Sequence, residues 1–512
     1  MSSEYIIRMK GIVKTYPGGV VALRGVDFDL RRGEIHALLG ENGAGKTTLM
    51  KILAGCLEPD EGEIYVKGRK IRFKSPKDAM KNGIGMVHQH FTLIPSLTVA
   101  ENIVLGMQSE TFIKDLKLDI DSIAKDIKRF SEAIGLPIDP YVPVSKLSAS
   151  MKQRVEILRL LYRNVDILIL DEPTSILSPI EIKELFNSLR ELSRKGKSII
   201  LVTHKLHEAL EISDRITVLR RGKVVAVIED PRKISTEELA ELVVGTKIIP
   251  QIEKKPIEMK RREPLLIIEN LKACDDRGVM TLRGLSLKLY PGEILGIAGI
   301  VGNGQKELVE VITGLRSAIE GRVIFMGTDI TNKSVTNIIR LGVSYIPEDR
   351  VVRGVALDLS VAENTVLKDH DKEPFCKRGI LNPRSIINFA ERIIKVFKIV
   401  TPSVKVPVRT LSGGNIQRLV IGRELSRGPK LIIAEQPTAG LDILSMEYVH
   451  KLLVDLRNRG CGVLLISYDL DEILKLSDRV AIMYEGRIVK VYNNPKEIDV
   501  KELSKYMLIG GI

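Results

Sequence analysis

The sequence has few cysteines and no long apolar run, and each shortage excludes a class of protein. Its four cysteines, Cys56, Cys274, Cys376 and Cys461, lie far apart, so they favour a reducing compartment over a disulfide framework or a zinc site. The longest apolar runs are of strand length, well below the roughly 18 to 20 residues that a membrane-spanning helix needs. Met1–Lys10 lacks a basic segment followed by an apolar stretch, so no secretory signal is expected. We therefore expect a cytoplasmic protein.

Aromatic residues are also scarce, at 4% of the chain, whereas the net charge is +13. Such a charge is typical of nucleic-acid binding or of a position beside an anionic membrane surface. The sequence shows no Lys/Arg-rich helix with interleaved aromatic residues, and its densest basic cluster, Lys260–Arg262, lies in a predicted linker. We therefore favour a solvated basic surface over a nucleic-acid interface.

What the sequence does contain is a second copy of itself. Leu23–Gly25 recurs 259 residues later as Leu282–Gly284. The spacing grows to 262 residues at Val99–Asn102 and to 264 residues from Leu147 onward. The chain has 512 residues, which is longer than a single domain with one hydrophobic core usually is. The repeat therefore predicts two homologous domains.

The predicted domains span residues 4–247 and 264–508, and the polar residues 248–263 are predicted to link them. Apolar runs alternate with helical patterns in each domain, which is typical of an α/β fold. In the first domain Glu34–Leu39 is predicted as a strand and Lys46–Ala54 as a helix. Further predicted elements are strands at Asp166–Leu170 and Ser198–Val202 and a hairpin at Ile216–Ala226 that turns at Arg221–Gly222.

The first strand and helix flank a complete phosphate-binding loop, Gly40–Thr47. With the spacing G-x-x-x-x-G-K-T, backbone N–H groups wrap the phosphates, Lys46 bridges the β- and γ-phosphates, and the Thr47 hydroxyl binds magnesium. The second copy, Gly299–Lys306, has lost both the lysine and the hydroxyl residue. The sequence therefore predicts nucleotide chemistry in the first half and a damaged site in the second.

A second motif follows in the first half, where the apolar segment Ile167–Leu170 ends in Asp171 and Glu172. In P-loop enzymes the first such carboxylate holds magnesium, directly or through water. The second is placed to orient and deprotonate the attacking water. An Asp-Glu pair alone is often only a strand end, but this one follows a phosphate loop in the same domain.

With these motifs in this order, nearly the whole chain resembles the ABC-type ATPases. Leu147–Met151 stands at the family's signature loop, and its counterpart Leu411–Asn415 has the full Leu-Ser-Gly-Gly form. The resemblance implies an α/β fold with two tandem P-loop NTPase domains, each with a mixed or parallel sheet core, a helical subdomain and an antiparallel β portion. It also implies head-to-tail pairing, in which each ATP is held by one domain's phosphate loop and the other domain's signature.

Three more residues match functional positions of the family. Gln89 matches the glutamine that senses magnesium and water, His204 the histidine that contacts the γ-phosphate, and Tyr16 the aromatic residue that stacks on adenine. Each alone is more often an ordinary core or surface residue, but their order relative to Lys46 and Glu172 favours the functional interpretation.

The resemblance thus predicts one intact site with ATP and Mg²⁺ as its ligands. The predicted catalytic residues are Glu172, His204, Gln89 and Lys46. The predicted ATP-binding residues are Tyr16, Gly40, Glu41, Asn42, Gly43, Ala44, Gly45, Lys46, Thr47, Thr48, Ser412, Gly413, Gly414 and Asp442. The predicted magnesium ligands are Thr47, Gln89 and Asp171.

In the second half every position predicted to handle the γ-phosphate or the attacking water differs. The counterparts of Tyr16, Lys46 and Thr47 are Asp275, Gln305 and Lys306. Those of Gln89, Asp171, Glu172 and His204 are Glu348, Glu435, Gln436 and Tyr468. The signature is damaged in the first half instead, at Ala149–Ser150. Head-to-tail pairing would collect the sound parts in one site, so we predict one hydrolytic site and one that is structural or a weak nucleotide holder.

Other segments resemble one branch of the family. Ile346–Arg350, followed by Gly354, is similar to the second-domain motif of ATPases that power sugar and nucleoside importers, and Gly85–Phe91 and Ser96–Asn102 are closer to the nucleoside branch. The branch implies a peripheral subunit on the cytoplasmic face of the cell membrane. Its expected partners are two transmembrane permease subunits, whose coupling helices fit grooves beside the Gln89 and Glu348 positions, and an extracellular substrate-binding protein, with no nucleic acid.

Two alternatives stay open at this point. One is a soluble tandem ABC ATPase that acts on ribosomes or nucleic acid, although such proteins usually have a long charged linker and two intact sites. The other is a non-catalytic, nucleotide-gated regulator, which the complete set of Lys46, Asp171, Glu172 and His204 disfavours. The transported substrate is not fixed by the sequence.

Overall fold

The computed structural model divides the chain into two compact units, Met1–Ile249 and Pro250–Ile512. The residues that it describes are 5–17, 19–88, 91–107, 119–174, 177, 179–245, 254–255, 263–300, 302–441 and 443–510. Most of the predicted linker, residues 248–263, lies outside these ranges, so the ends of the predicted domains stay a prediction.

The first unit is built on two sheets. Its strands are β1 Tyr5–Tyr16, β2 Val20–Arg31, β3 Ile35–Leu39, β4 Glu61–Val66, β5 Arg69–Ile71, β6 Ile84–Val87, β7 Ile167–Asp171, β8 Ser198–Thr203, β9 Arg215–Arg220 and β10 Lys223–Ile228. One sheet is antiparallel with the order β2-β1-β4-β5, and the other has the order β10-β9-β3-β8-β7-β6. In the second sheet only the edge strand β10 is antiparallel. Strands β3, β7 and β8 are buried at every position, as expected where both faces of a parallel sheet are covered.

Helices cover the sheets of the first unit. They are α1 Lys46–Leu53, α2 Pro76–Lys81, α3 Val99–Val104, α4 Ile120–Ala133, α5 Ala149–Leu161, α6 Pro179–Arg194, α7 Leu206–Ile212 and α8 Thr236–Val244. Helices α3, α4 and α5 lie between β6 and β7 in the chain and share one buried apolar cluster, to which Ile103, Ile127 and Leu158 contribute. They form the helical part of this unit. A capping box of Thr98 and Glu101 fixes the start of α3.

The second unit repeats this architecture. Its strands are β11 Leu266–Cys274, β12 Met280–Leu289, β13 Ile294–Ala298, β14 Glu320–Phe325, β15 Thr328–Asp329, β16 Val343–Ile346, β17 Cys376–Lys377, β18 Ile380–Leu381, β19 Leu431–Glu435, β20 Gly462–Ile466, β21 Arg479–Tyr484 and β22 Arg487–Tyr492. Its helices are α9 Gln305–Ile312, α10 Val335–Arg340, α11 Val361–Val366, α12 Pro383–Phe397, α13 Gly413–Ser426, α14 Ile443–Asn458, α15 Leu470–Leu476 and α16 Val500–Ile509. The sheet orders are β12-β11-β14-β15 and β16-β19-β20-β13-β21-β22, with β17 and β18 forming a separate pair.

These two units confirm the predicted α/β class with a mostly parallel core sheet, an antiparallel sheet and a helical part. The predicted strand before the phosphate loop is β3, and the predicted helix after it is α1. Across the described residues, every helix is too short or too polar to cross a lipid bilayer.

The turn between β9 and β10 contacts the phosphate loop. The Gly222 N–H donates to the Ala44 carbonyl at 2.9 Å, and the Arg24 N–H donates to the Gly222 carbonyl at 2.8 Å. Gly222 has a φ of 76°, and a Cβ added to it would lie 2.7 Å from the Ala22 carbonyl oxygen. Only glycine fits between the loop and β2 here, so the predicted hairpin also fixes the position of the loop.

Replacing Gly222 with alanine is expected to destabilise the first unit more than the same change at Gly68. Gly68 has a similar φ of 78°, but a Cβ there would meet no atom within 4 Å. Both variants carry the backbone strain of a left-handed alanine, whereas only Gly222→Ala adds a clash. We expect its free energy of unfolding to fall by about 2 kcal/mol more than that of Gly68→Ala, as measured by urea denaturation. Equal losses would contradict the steric explanation.

Candidate functional site

The phosphate loop joins the buried strand β3 to helix α1. Its tight path depends on Gly45, which has a φ of 107°. A Cβ at this position would lie 2.7 Å from the Ala22 carbonyl oxygen, so a side chain would push the loop away from β2. The path brings the loop to the N-terminus of α1, where unpaired N–H groups favour an anion.

Lys46 is the first residue of α1 and is only 5% exposed. Its Nζ donates to the carbonyl oxygens of Gly40 at 2.6 Å and Glu41 at 3.0 Å. Burial lowers the pKa of Lys46, and the charges of Glu172, Asp171 and Glu41 act in the opposite direction. The ammonium is therefore held inside the loop by two carbonyls and by nearby carboxylates.

Asp171, the last residue of β7, lies beside the loop. The Thr47 hydroxyl donates to Asp171 Oδ1 at 3.5 Å. Burial raises the pKa of Asp171, as does the charge of Glu172, and the Thr47 and Lys46 contacts lower it. A hydroxyl and a carboxylate oxygen this close are ligands that Mg²⁺ prefers, with substrate phosphates completing the shell. No group of three or more acidic, His or Cys side chains within the described ranges forms a metal site by itself.

Glu172 follows β7 and pairs with His204, which follows β8. The His204 Nδ1 lies 2.9 Å from Glu172 Oε1. Burial acts to raise the pKa of Glu172, but the hydrogen bond and charge of His204, with help from Lys46, outweigh it and keep the pKa below its usual value. Glu172 is thus an oriented, ionised carboxylate. It has a φ of 49°, a strained conformation often found at functional sites.

Tyr16 ends β1, and the residue is 37% exposed. Its hydroxyl lies 3.3 Å from Thr48 Oγ1 in the first turn of α1. The aromatic ring is therefore fixed beside the loop with an accessible surface. Adenine stacking on this ring stays a prediction.

Glu208 is a supporting residue that the sequence analysis did not single out. This buried residue of α7 accepts hydrogen bonds from Thr174 at 2.6 Å and from Thr203 at 3.4 Å. It thereby connects the segment after Glu172 to the residue before His204. The pair of Thr174 and Glu208 recurs 264 residues later as Thr438 and Glu472. There the Thr438 hydroxyl donates to Glu472 at 2.7 Å, so the repeated pair was the sequence signal for this contact.

The second unit keeps the shape of the loop but has no ammonium at the position of Lys46. Gly304 has a φ of 105°, close to that of Gly45. Gln305 is 2% exposed, and its Nε2 donates to the Ile300 carbonyl at 3.0 Å. The amide thus replaces one of the hydrogen bonds of Lys46 but brings no cation to a phosphate.

The remaining positions of the second unit also differ chemically. Glu435 accepts hydrogen bonds from the Tyr345 hydroxyl at 2.5 Å and from the Glu348 N–H at 3.4 Å. Burial raises the pKa of Glu435, and burial together with Glu435 raises that of Glu348. Gln436 keeps the left-handed backbone of Glu172, with a φ of 46°, but has no carboxylate. The second unit thus has a glutamate at the position of Gln89, a glutamate at that of Asp171 and a neutral amide at that of Glu172.

The helices that follow the two signature loops begin differently. In the first unit the Ser148 hydroxyl accepts from the Met151 N–H at 3.3 Å and so caps its own helix, α5. In the second unit Ser412 makes no side-chain cap bond to α13 among the described residues, and its hydroxyl accepts from Asn415 Nδ2 at 2.9 Å. The first N–H groups of α13 therefore stay available to an external anion.

The described residues thus bring Tyr16, the loop residues from Gly40 to Thr48, Asp171, Glu172 and His204 together within the first unit. Ser412, Gly413 and Gly414 lie in the second unit, and their pairing with the first unit stays a prediction. Gln89 and Asp442 lie outside the described residues.

A family model described as "ABC transporter" matches the chain twice, over residues 23–175 and 282–439. Three curated relatives resemble it over nearly their full length. The nucleoside import ATP-binding protein NupA of Lactococcus lactis is 44% identical over 100% of this chain and 100% of its own. The guanosine import ATP-binding protein NupO of Bacillus subtilis is 44% identical over 98% of this chain and 97% of its own. The glucose import ATP-binding protein TsgD13 of Haloferax volcanii is 42% identical over 100% of this chain and 97% of its own.

Replacing His204 with alanine is expected to raise the pKa of Glu172. The substitution removes a hydrogen bond that favours the carboxylate and leaves the burial that disfavours it. The titration of Glu172 can be followed by NMR of protein labelled with ¹³C at glutamate carboxyl groups, with Glu172→Gln identifying the signal. His207→Ala, at an exposed position of α7, is the matched control and should leave the midpoint unchanged. An unchanged or lower midpoint in His204→Ala would contradict the pairing.

Proposed function

This chain belongs to the ABC transporter family, and we propose that it is the ATP-hydrolysing subunit that drives an importer of nucleosides or simple sugars. The observation that carries the proposal is the complete nucleotide set of the first unit, in which Lys46, Asp171, Glu172 and His204 converge on one loop. Nucleosides are favoured over sugars because two of the three relatives are named for nucleoside or guanosine import. Gly85–Phe91 points to the same branch.

ATP binds along Gly40–Thr48 in this proposal, with Tyr16 stacked on its adenine ring. Lys46 neutralises charge on the β- and γ-phosphates when they displace the loop carbonyls from its ammonium. Magnesium supplies further positive charge to the phosphates, with Thr47, Gln89 and Asp171 as its proposed ligands.

Hydrolysis requires a base and a group that orients it. Glu172 is ionised and accepts a proton from the attacking water. His204 holds the Glu172 carboxylate in place and contacts the γ-phosphate. This pairing of a carboxylate with an orienting histidine is present in the first unit alone, because Gln436 and Tyr468 occupy the equivalent positions of the second.

The second unit completes the active site with Ser412, Gly413, Gly414 and Asp442. The uncapped start of α13 supports this assignment, because a helix N-terminus with free N–H groups attracts the γ-phosphate. The other composite site would join the neutral Gln305 loop to the self-capped α5. We propose that it does not hydrolyse ATP. Losing the cation, the base and the histidine together raises the activation barrier by more than several kcal/mol. Because about 1.36 kcal/mol of barrier lowers the rate tenfold, turnover at this site would be negligible.

The partners in this proposal are two transmembrane permease subunits and an extracellular substrate-binding protein, with the ATPase on the cytoplasmic face of the membrane. A cavity of about 470 Å³ in the second unit supports a docking site for a permease helix. Leu315 and Pro347 line it from the core, and Lys368 and Arg423 line it from the helical part. A helix in this cavity would contact both parts of the unit at once.

A ribosome- or nucleic-acid-associated ATPase is the alternative class. It is not favoured, because relatives that match this chain over nearly its full length are named as import proteins. RNA-dependent stimulation of ATP hydrolysis would favour it instead.

Glu172→Gln is expected to abolish steady-state ATP hydrolysis, because the water loses its base. Gln436→Glu in the Glu172→Gln background should not restore turnover, since the second loop still lacks a lysine. Gln436→Glu alone, which adds a carboxylate to the second unit, is the matched control and should hydrolyse ATP near the parental rate. Phosphate release assays measure all three. Parental turnover by Glu172→Gln would refute the assigned base.

Leu315→Asp is expected to weaken the complex with the permeases by at least about tenfold, because it replaces an apolar contact with the partner helix by a carboxylate that must lose its water. Leu315 is 53% exposed, so the change itself is tolerated by the fold. Ile380→Asp, at a 76% exposed position that does not line the cavity, is the control. Co-purification from detergent measures the complex, and ATP-driven uptake of labelled nucleosides and sugars into vesicles identifies the substrate. Full permease recovery with Leu315→Asp would exclude this docking site.

A further inference from the structure

A short segment after β16 of the second unit, residues 348–354, folds into a compact turn. The Asp349 carboxylate accepts from the N–H groups of Val351 at 3.0 Å and Val352 at 2.9 Å. The Arg353 N–H donates to the Asp349 carbonyl at 3.0 Å. A Cβ on Gly354 would lie 2.4 Å from the Arg350 carbonyl oxygen, so the chain closes tightly around Arg350. The turn fixes the backbone of this arginine.

The Arg350 side chain reaches two other loops of the same unit. Its Nη1 donates to the Ala439 carbonyl at 2.8 Å. Its Nη2 lies 3.2 Å from the position that a Cβ would take on Gly440 and 3.4 Å from that on Gly413. The planar guanidinium therefore lies against the main chain of both glycines, which leave room for it.

Both contacted loops carry residues assigned to the active site. Gly413 begins α13, the helix whose first turn has no side-chain cap. Ala439 and Gly440 follow β19 and precede Asp442 in the chain. Arg350 is thus a side chain that joins the two segments with which the second unit is proposed to complete the ATP site of the first.

The same segment also borders the cavity proposed for the permease helix. Pro347 and Arg353, on either side of Arg350 in the chain, both line it. Arg353 pairs with the buried Glu310 at 2.7 Å, which anchors that end of the turn to α9. A displacement of the turn by a helix in the cavity would therefore move the Arg350 backbone.

Three residues of this contact are replaced in the first unit. Phe91 stands at the position of Arg350, Ala149 at that of Gly413 and Ile176 at that of Gly440. The phenylalanine side chain has no hydrogen-bond donor for a carbonyl, and neither of the other two residues is a glycine. The contact is therefore specific to the unit with the intact signature.

We propose that Arg350 is a positioning residue for ATP hydrolysis, which holds the start of α13 and the Ala439–Gly440 loop in the arrangement that completes the active site. The proposal rests on the head-to-tail pairing in the proposed function. Arg350 acts through the residues it holds and does not touch the reacting atoms. A misplacement of about 1 Å in such groups lowers the rate of the chemical step strongly.

Arg350→Ala is expected to lower kcat by roughly tenfold to a hundredfold, with the affinity for ATP changed by less than about threefold, since Lys46 and its loop are untouched. Arg350→Lys should have a kcat between those of the parent and Arg350→Ala, because lysine can donate to the Ala439 carbonyl but has no planar group to lie against Gly413. Hydrogen–deuterium exchange should become faster in residues 412–416 and 438–441 of Arg350→Ala. Arg322→Ala is the matched control, since it removes an exposed arginine that pairs with Glu269 at 2.9 Å.

Three results would overturn the proposal. They are parental kcat with unchanged exchange, faster exchange with parental kcat, and a loss of ATP affinity as large as the loss of kcat. Failure of the proposed function is detected separately by Glu172→Gln, which tests the base of the first unit and leaves Arg350 in place. If Arg350→Ala does not fold, Arg350→Lys decides between the same outcomes.

Discussion

The placement of the Lys46 ammonium between two loop carbonyls and two carboxylates is the interaction on which the rest of the site depends. It requires that the segments after β3, β7 and β8 meet, and the parallel sheet order β3-β8-β7 provides this, because carboxyl ends of parallel strands share one edge. The carboxylates offset the burial of the ammonium. The same arrangement brings Glu172 within reach of His204, so one sheet edge supplies the cation, the proposed metal ligand and the proposed base.

The second unit has the same sheet and loop without a lysine at the position of Lys46 or a glutamate at that of Glu172. Gln305 closes its loop with a neutral hydrogen bond, and Gln436 keeps the strained backbone of the base position. Removing an ammonium and a carboxylate together avoids leaving either one buried without its partner. The second unit therefore keeps its sheets and helices with neutral amides at the positions of Lys46 and Glu172.

The phosphate loop, the strands around it and the β9–β10 hairpin could be predicted from the sequence, because each depends on residues that are close in the chain. The repeat then identified the altered positions Gln305, Glu435 and Gln436. The contacts of Glu208 and Arg350 could not be predicted, since they join segments about 30 to 90 residues apart and depend on side-chain direction. Likewise, nothing in Leu147–Met151 indicates that Ser148 caps its own helix while Ser412 does not.

The self-capped start of α5 has a consequence for evolution of the chain. A serine that satisfies its helix contributes about 1 kcal/mol to the stability of that helix. Once Ser148 has taken this role, a return to an anion-receiving signature has to break a stabilising bond before any ligand interaction replaces it. Folding stability therefore favours keeping this difference between the two halves.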